Sequence, residues 1–89
     1  MTGAGESQVL AELRAMLAVL TRDDGPLTAA LDTPLLREGL ALDSLRGALL
    51  LTRVRDRFGV DVADEDLNLD SLATIGTLAA FVSDRIIPR

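Results

Sequence analysis

Apolar residues recur at every third or fourth position in three segments of the chain, which is the spacing of one face of an α-helix. The first segment runs from Val9 to Leu20, and Ser7 stands before it as the expected N-cap. Residues 23–26, Asp-Asp-Gly-Pro, follow it and are typical of a turn. We therefore expect a helix over residues 7–21, preceded by a flexible, glycine-rich tail at residues 1–6.

The second segment predicts a helix over residues 45–58. Asp43 and Ser44 suit its N-terminal end, because their short polar side chains can accept hydrogen bonds from the first free N–H groups. Gly59 suits its C-terminal end, where a left-handed backbone is common.

The third segment predicts a helix over residues 71–86, which Pro88 would close ahead of a short flexible tail at residues 87–89. A brief helical turn at residues 65–67 is expected before this helix, with Asp64 as its cap.

Residues 25–42 contain two prolines and two glycines and show no sustained apolar period. They are predicted to form a long packed loop with a short helical turn at residues 27–31; loops of this length tend to carry function. Together the segments predict an all-α fold, a small four-helix bundle of three main helices and one short helix, with the long loop between helices one and two. The length of 89 residues allows a single domain.

The residue types that are missing restrict the chemistry of the chain. The sequence is 48% hydrophobic and 26% charged, as in ordinary soluble domains, but it contains no Cys, His, Lys, Trp or Tyr. Without histidine or lysine, no serine can be activated by the usual neighbouring base, and without cysteine or histidine an ordinary zinc site cannot form. The sequence therefore predicts neither an enzyme nor a metal site, and a reactive serine is better interpreted as the substrate of another enzyme.

The formal net charge of -5 argues against binding to nucleic acid or to an anionic membrane surface, because both call for a basic face. No apolar run approaches the roughly 20 residues that are needed to span a bilayer. No basic N-terminal region precedes the first apolar segment. We therefore expect a monomeric, cytoplasmic protein.

The most informative segment is residues 39–45, Gly-Leu-Ala-Leu-Asp-Ser-Leu, which precede a helix that ends at Phe58 and Gly59. Residues 74–82, Thr-Ile-Gly-Thr-Leu-Ala-Ala-Phe-Val, are a second informative segment. Both resemble the acyl carrier protein family, in which an Asp-Ser-Leu opens the second helix. The resemblance extends from helix one to Val82, and it implies a discrete carrier with the small helical fold of that family.

This resemblance implies that Ser44 is the attachment site of 4'-phosphopantetheine, which a phosphopantetheinyl transferase moves from coenzyme A to the serine hydroxyl. The terminal thiol of the arm would then hold acyl groups as thioesters. The resemblance also gives Asp43 a role in supporting the divalent metal ion of the transferase, beside its expected role as a helix cap. A helix N-terminus suits a phosphodiester, because N–H groups without intrahelical acceptors and the positive end of the helix dipole lie there.

The tripeptide around Ser44 occurs twice, since Leu-Asp-Ser-Leu is found at residues 42–45 and again at residues 69–72. An isolated Asp-Ser-Leu is more often just a helix cap, so the match needs context before it indicates a site. Ser44 follows the long loop and precedes a complete amphipathic helix, whereas Ser71 stands where the family merely begins its last helix. We therefore assign the attachment to Ser44 and interpret Ser71 as a cap.

The helix after Ser44 is predicted to have two apolar faces. The core face comprises Gly47, Leu50, Leu51, Val54 and Phe58. The nearly opposite face, where a simple bundle helix would be polar, is predicted to dock partner enzymes together with flanking arginines. The docking residues expected on this basis are Leu45, Arg46, Ala48, Leu49, Thr52 and Arg53. In the alternative interpretation, the exposed apolar residues and solvated arginines have no function.

The arginines of this helix differ from the acidic second helix that is common in carriers of fatty acid synthesis, and they favour a dedicated polyketide or other specialised pathway. A basic docking helix would fit a partner with an acidic or mixed surface. The resemblance implies an acyl- or aminoacyl-loading enzyme and ketosynthase- or acyltransferase-type enzymes as partners. An aminoacyl or peptidyl carrier is the neighbouring alternative, although Leu42 before Asp43 favours an acyl carrier. The alternative of a different class is a helical protein-interaction module without a prosthetic group.

Overall fold

Five α-helices and one turn of 3₁₀ helix follow one another in the computed structural model, which describes residues 4–36, 39–40 and 42–86. The elements are α1 (Ala4–Thr21), α2 (Gly25–Thr28), α3 (Ser44–Phe58), α4 (Val62–Glu65), the 3₁₀ turn (Asp70–Leu72) and α5 (Ile75–Ile86). Within the described residues the only strand-like pairing is an isolated bridge between Pro34 and Thr74. The predicted all-α bundle is confirmed, with three long helices and two short ones.

The core lies where α1 packs against α3 and α5. Its buried side chains come at helical spacing from all three long helices, and the loop adds Leu35. The predicted core face of α3 is confirmed, because Gly47, Leu50 and Val54 are buried while Leu51 and Phe58 are partly buried. The largest fully buried side chains include Leu13, Leu17, Leu35, Leu50, Ile75 and Leu78.

The first helix begins at Ala4, three residues before the predicted start at Ser7. Residues 4–6 therefore lie in the helix and not in a tail, and Ser7 is an exposed residue within α1 rather than its cap. Alanine and glutamate at positions 4 and 6 have high helix propensity, which offsets the intervening glycine. Residues 1–3 and the predicted tail at 87–89, with Pro88, lie outside the described residues.

Both predicted ends of α3 are confirmed. The Asp43 side chain caps the helix, since its Oδ1 accepts the Arg46 N–H at 2.7 Å. Gly59 ends it in a left-handed conformation with φ of 74°, and its N–H donates to the Arg55 carbonyl at 2.8 Å. These local caps fix where α3 starts and stops.

The prediction of a turn at residues 65–67 capped by Asp64 is wrong. The short helix α4 forms earlier, at Val62–Glu65, because Asp61 Oδ1 accepts the Asp64 N–H at 3.1 Å. Val62 at the start of this helix is fully buried, which fixes the helix against the core.

The prediction that the last helix starts at Ser71 is also wrong. Helix α5 begins at Ile75, and Thr74 Oγ1 accepts the Thr77 N–H at 3.1 Å while Thr77 Oγ1 accepts the Thr74 N–H at 2.9 Å. This reciprocal pair has the arrangement of a capping box. Ser71 belongs to the separate 3₁₀ turn and does not cap α5.

The segment between α1 and α3 is held down by backbone hydrogen bonds at several points. Its short helix, α2, spans Gly25–Thr28, slightly earlier than the predicted turn at 27–31. The Arg14 guanidinium of α1 donates to the carbonyl of Ala29 at 2.6 Å, and the Gly76 N–H of α5 donates to that of Leu31 at 2.8 Å. The described part of this segment is therefore fixed against α1 and α5 at several points.

Candidate functional site

Ser44 is the first residue of α3, and it is exposed. The residue that comes two positions before it, Leu42, is buried and donates its N–H to the Leu35 carbonyl at 2.8 Å. The chain thus passes from a buried anchor to the surface within two residues. This transition presents the Ser44 hydroxyl at the helix N-terminus, beside N–H groups that have no intrahelical acceptors.

The carboxylate of Asp43 is engaged through both oxygens. Oδ1 accepts the Arg46 N–H at 2.7 Å, and Oδ2 accepts from Arg46 Nη1 at 3.2 Å. Arg46 also donates from Nε to the Leu20 carbonyl at 2.9 Å, which joins the start of α3 to the C-terminal end of α1. Arg46, a predicted docking residue, therefore has intramolecular partners that the sequence did not reveal.

An open groove of about 500 Å³ runs beside Ser44, and its surface is mostly apolar. Ser44, Gly47, Ala48 and Leu51 form the α3 wall, at the spacing of one helix face. The full lining is Leu36, Leu42, Asp43, Ser44, Gly47, Ala48, Leu51, Leu69 and Leu72. Sequence reasoning missed this groove, although the scattered leucines of the long loop were a signal that it packs against something.

The second copy of the tripeptide lies in a different environment. Ser71 is only 7% exposed, and its hydroxyl oxygen is buried. Its N–H donates to Asp66 Oδ2 at 2.7 Å, and this hydrogen bond holds the pKa of Asp66 below its ordinary value. An external enzyme can reach the Ser44 hydroxyl directly but cannot reach that of Ser71 in this conformation.

The face of α3 that was predicted to dock partners is exposed. Leu45 is 68% exposed and Leu49 is 43% exposed, and Ala48, Thr52 and Arg53 are exposed as well. Ala48 contributes to both this face and the groove. The structure therefore places these predicted docking residues at the surface, close to Ser44 along the helix.

The remaining arginines of α3 differ in their partners. Arg57 donates to both carboxylate oxygens of Glu12 on α1, so it joins the two helices. A hydrogen bond from Gln8, and then the contact with Arg57, lower the pKa of Glu12. Arg55 lies 4.0 Å from Asp56, and in the part of the chain that the structure describes Arg53 has no ion pair.

Among the described residues, no group of three or more His, Cys, Asp or Glu side chains is placed to hold a metal ion. In the same residues, no helix has the length and apolar character needed to cross a membrane.

Comparison with known protein families gives a match over most of the chain. The model of the phosphopantetheine attachment site matches residues 8–82, from α1 through most of α5. Searches of curated proteins and of solved structures find no match. The match covers most of the 89 residues, including all of α3 and most of α1 and α5. The chain therefore belongs to the family of domains with a phosphopantetheine attachment site, whose members bind 4'-phosphopantetheine covalently on a serine.

Proposed function

We propose that this protein is a discrete acyl carrier whose Ser44 receives 4'-phosphopantetheine from coenzyme A. The observation that carries the proposal is the exposed position of Ser44 at the start of α3, on the rim of an apolar groove. Carrier domains of this family are non-catalytic shuttles that interact with phosphopantetheinyl transferases and biosynthetic enzymes. In the modification, Ser44 Oγ loses its proton and forms a bond to phosphorus, while the nucleotide part of coenzyme A departs.

The residues around Ser44 fit the phosphodiester that this reaction creates. The positive end of the α3 dipole and the free N–H groups of its first turn stabilise an anion at this position. Asp43 already takes the Arg46 N–H, so the cap and the phosphodiester use different donors. When bound, the arm supplies a thiol, which the chain itself lacks because it has no cysteine.

The groove favours an acyl cargo over an aminoacyl or peptidyl cargo. Its surface is mostly leucine and other apolar side chains, and the described residues place no charged group in it besides Asp43 beside Ser44. A volume of about 500 Å³ lies within the range of roughly 300–1,000 Å³ that is usual for small-molecule pockets. Burial of an acyl chain there would gain free energy from the hydrophobic effect, whereas burial of a charged amine would cost it.

The exposed face of α3 is the surface that we propose for partner enzymes. Leu45 and Leu49 supply apolar contact area, and Arg53 supplies a charge that no described residue pairs. The helix carries four arginines and one aspartate, in a protein whose formal net charge is -5. This local basic character fits an acidic or mixed partner surface, as in a loading or condensing enzyme of a dedicated biosynthetic pathway.

Intact mass spectrometry tests the proposal. The purified protein is incubated with coenzyme A, magnesium and a broad-specificity phosphopantetheinyl transferase, and the expected result is the gain of one phosphopantetheine unit. Ser44→Ala should abolish the gain, and the matched variant Ser71→Ala should retain it. The absence of any gain in the wild-type protein would overturn the carrier proposal and leave the interaction module as the explanation. A gain that is lost only in Ser71→Ala would show that the other serine is modified.

A further inference from the structure

The α3 wall of the groove contains a glycine at a place where the helix does not require one. Gly47 lies three residues after Ser44, is buried, and lines the groove. Glycine is the least favourable residue for a helix interior apart from proline, because it has the most backbone freedom to lose. A glycine at this position therefore needs a reason that lies outside the helix.

Neither the backbone nor the packing supplies that reason. Among the described glycines, only Gly39 and Gly59 have a positive φ, so the backbone of Gly47 suits any residue. A Cβ added at Gly47 would have Leu36 Cδ2 as its neighbour at 3.8 Å, which is ordinary van der Waals contact. Alanine would therefore fit, and what glycine provides is space between α3 and Leu36.

This space lies in the path from the attachment site into the groove. Ser44, Gly47 and Leu51 follow one another along one helix face, so Gly47 stands between the serine and the deeper apolar lining. Leu36 is partly exposed and faces Gly47 from the loop that precedes α3. A side chain at position 47 would point toward Leu36 and narrow the groove there.

We propose that Gly47, together with Leu36 opposite it, determines the bulk of the acyl cargo that the groove accepts. The inference rests on the proposed function, because it takes the occupant to be an acyl chain on the arm of Ser44. The width of the groove at Gly47 limits the bulk of the acyl chain that can enter, while the apolar lining disfavours a charged cargo. Gly47 is thus a specificity-determining residue that makes no polar contact with the cargo.

Thermal unfolding of loaded proteins tests this role. Acetyl, hexanoyl and decanoyl arms are transferred from the corresponding acyl-coenzyme A, and intact mass verifies that each protein is loaded. In the wild type, the hexanoyl and decanoyl forms should have a Tm several degrees above that of the acetyl form, because the longer chains bury apolar surface. Once loaded, Gly47→Val should lose most of this rise, and Gly47→Ala should lose part of it.

Two further variants separate the groove from a general effect on folding. Ala80→Val places the same side chain at an exposed position of α5 that does not line the groove, and its acyl-dependent rise should equal that of the wild type. Leu36→Ala removes the opposite wall, and combined with Gly47→Val it should restore the rise. If Gly47→Val is too unstable to purify, the comparison of Gly47→Ala with the wild type answers the same question.

The outcomes of this experiment distinguish the inference from the function on which it rests. Failure of the wild type to accept any arm would overturn the carrier function itself. Successful loading with no rise in Tm for longer chains would leave the carrier function standing and overturn the inference. An equal rise in Gly47→Val and the wild type would overturn it as well.

Discussion

Asp43 and Arg46 form two hydrogen bonds at the start of α3. Arg46 Nη1 donates to Asp43 Oδ2 at 3.2 Å, and the Arg46 backbone N–H donates to Asp43 Oδ1. The same arginine donates to the Leu20 carbonyl at the end of α1. Asp43 is thus both a helix cap and one end of a link between two helices. A metal ion of the transferase supported by this carboxylate would compete with the Arg46 guanidinium for Oδ2.

Substitution of Asp43 separates its capping role from its charge. Asn caps helices about as well as Asp, so Asp43→Asn should leave the free energy of unfolding nearly unchanged, whereas Asp43→Ala should lower it by about 1 kcal/mol. Both variants lose the carboxylate, so both should be modified at least about 10-fold more slowly, as expected for loss of a metal-supporting group. Urea unfolding and the rate of phosphopantetheine transfer at several magnesium concentrations measure the two effects. A wild-type transfer rate in Asp43→Asn would restrict Asp43 to capping.

Arg46 should contribute to stability, while Arg53 on the same helix should not. Arg46→Ala removes the hydrogen bonds to the Leu20 carbonyl and to Asp43, and because the side chain is about half exposed we expect a loss of only about 1 kcal/mol. Arg53→Ala is the matched control, with an expected change within about 0.5 kcal/mol. Urea midpoints measure both. In transfer or docking assays the order should reverse, so that Arg53→Ala has the larger effect. This effect should depend on salt concentration, since of the two arginines only Arg53 has a charge without an intramolecular partner among the described residues. Equal losses of stability in both variants would contradict the assigned link.

The long helices were predictable because their signals are local. Asp43 and Gly59 cap α3 through atoms within four residues, and both ends of that helix agreed with the sequence pattern to within one residue. The start of α5 was not predictable in this way, because Ser71 and Thr74 are both acceptable caps by residue type. The choice between them depends on Asp66, which accepts the Ser71 N–H and keeps that serine in a separate buried turn.

The groove and the role of Arg46 depend on contacts between residues that are distant in the sequence. Leu36 and Leu69 come from segments without an apolar period, and only the fold brings them beside α3. The hydrogen bond from Arg46 to Leu20 likewise spans 26 residues. The family resemblance identified the serine and periodicity identified the exposed face of its helix, but neither could identify the cavity that the serine borders.

Alanine substitution should change the free energy of unfolding in opposite directions at Gly47, within α3, and at Gly59, at its C-terminal end. Gly59 has a φ of 74°, and Gly59→Ala should destabilise the protein by about 1 kcal/mol, although nothing lies within 4 Å of the added Cβ. Gly47→Ala should stabilise the unmodified protein by up to about 1 kcal/mol, because the helical backbone accepts alanine without a clash. Gly59→Asn, which tolerates the left-handed region better, should fall between Gly59→Ala and the wild type. Chemical unfolding of the apo proteins measures all three, and a stabilising Gly59→Ala would contradict the assignment of the cap.

Removal of a buried hydroxyl from α5 should stabilise the protein. Ser83 is 4% exposed, and its Oγ has no hydrogen-bond partner in the described residues. Burial of an unpaired hydroxyl costs free energy, and alanine is the better helix former, so Ser83→Ala should raise the free energy of unfolding by about 1 kcal/mol. Ser7→Ala in α1 removes an exposed hydroxyl and should have a much smaller effect. A loss of stability in Ser83→Ala would mean that the hydroxyl has a partner in solution.

Asp66 should make stability depend on acid pH. The hydrogen bond from the Ser71 N–H lowers the pKa of Asp66 in the folded protein below its ordinary value of 3.8, so the folded state favours the charged carboxylate. The resulting stability is fully present above the unfolded pKa and is lost as the pH falls through the lowered folded pKa. Asp66→Asn cannot titrate, so its deficit relative to the wild type should stay constant from neutral pH to about pH 5 and shrink below about pH 4.

Urea midpoints at pH 7, 5 and 3 measure this difference. Asn68→Ala, a nearby exposed substitution that changes no titrating group, should show the same difference from the wild type at each pH. The carboxylate of Glu12 acts in the same direction, because Gln8 and Arg57 lower its pKa, so the wild type itself should lose stability over this acid range. A deficit of Asp66→Asn that grows on acidification would mean that the folded protein favours the neutral carboxyl, which is opposite to what its hydrogen bond from Ser71 requires.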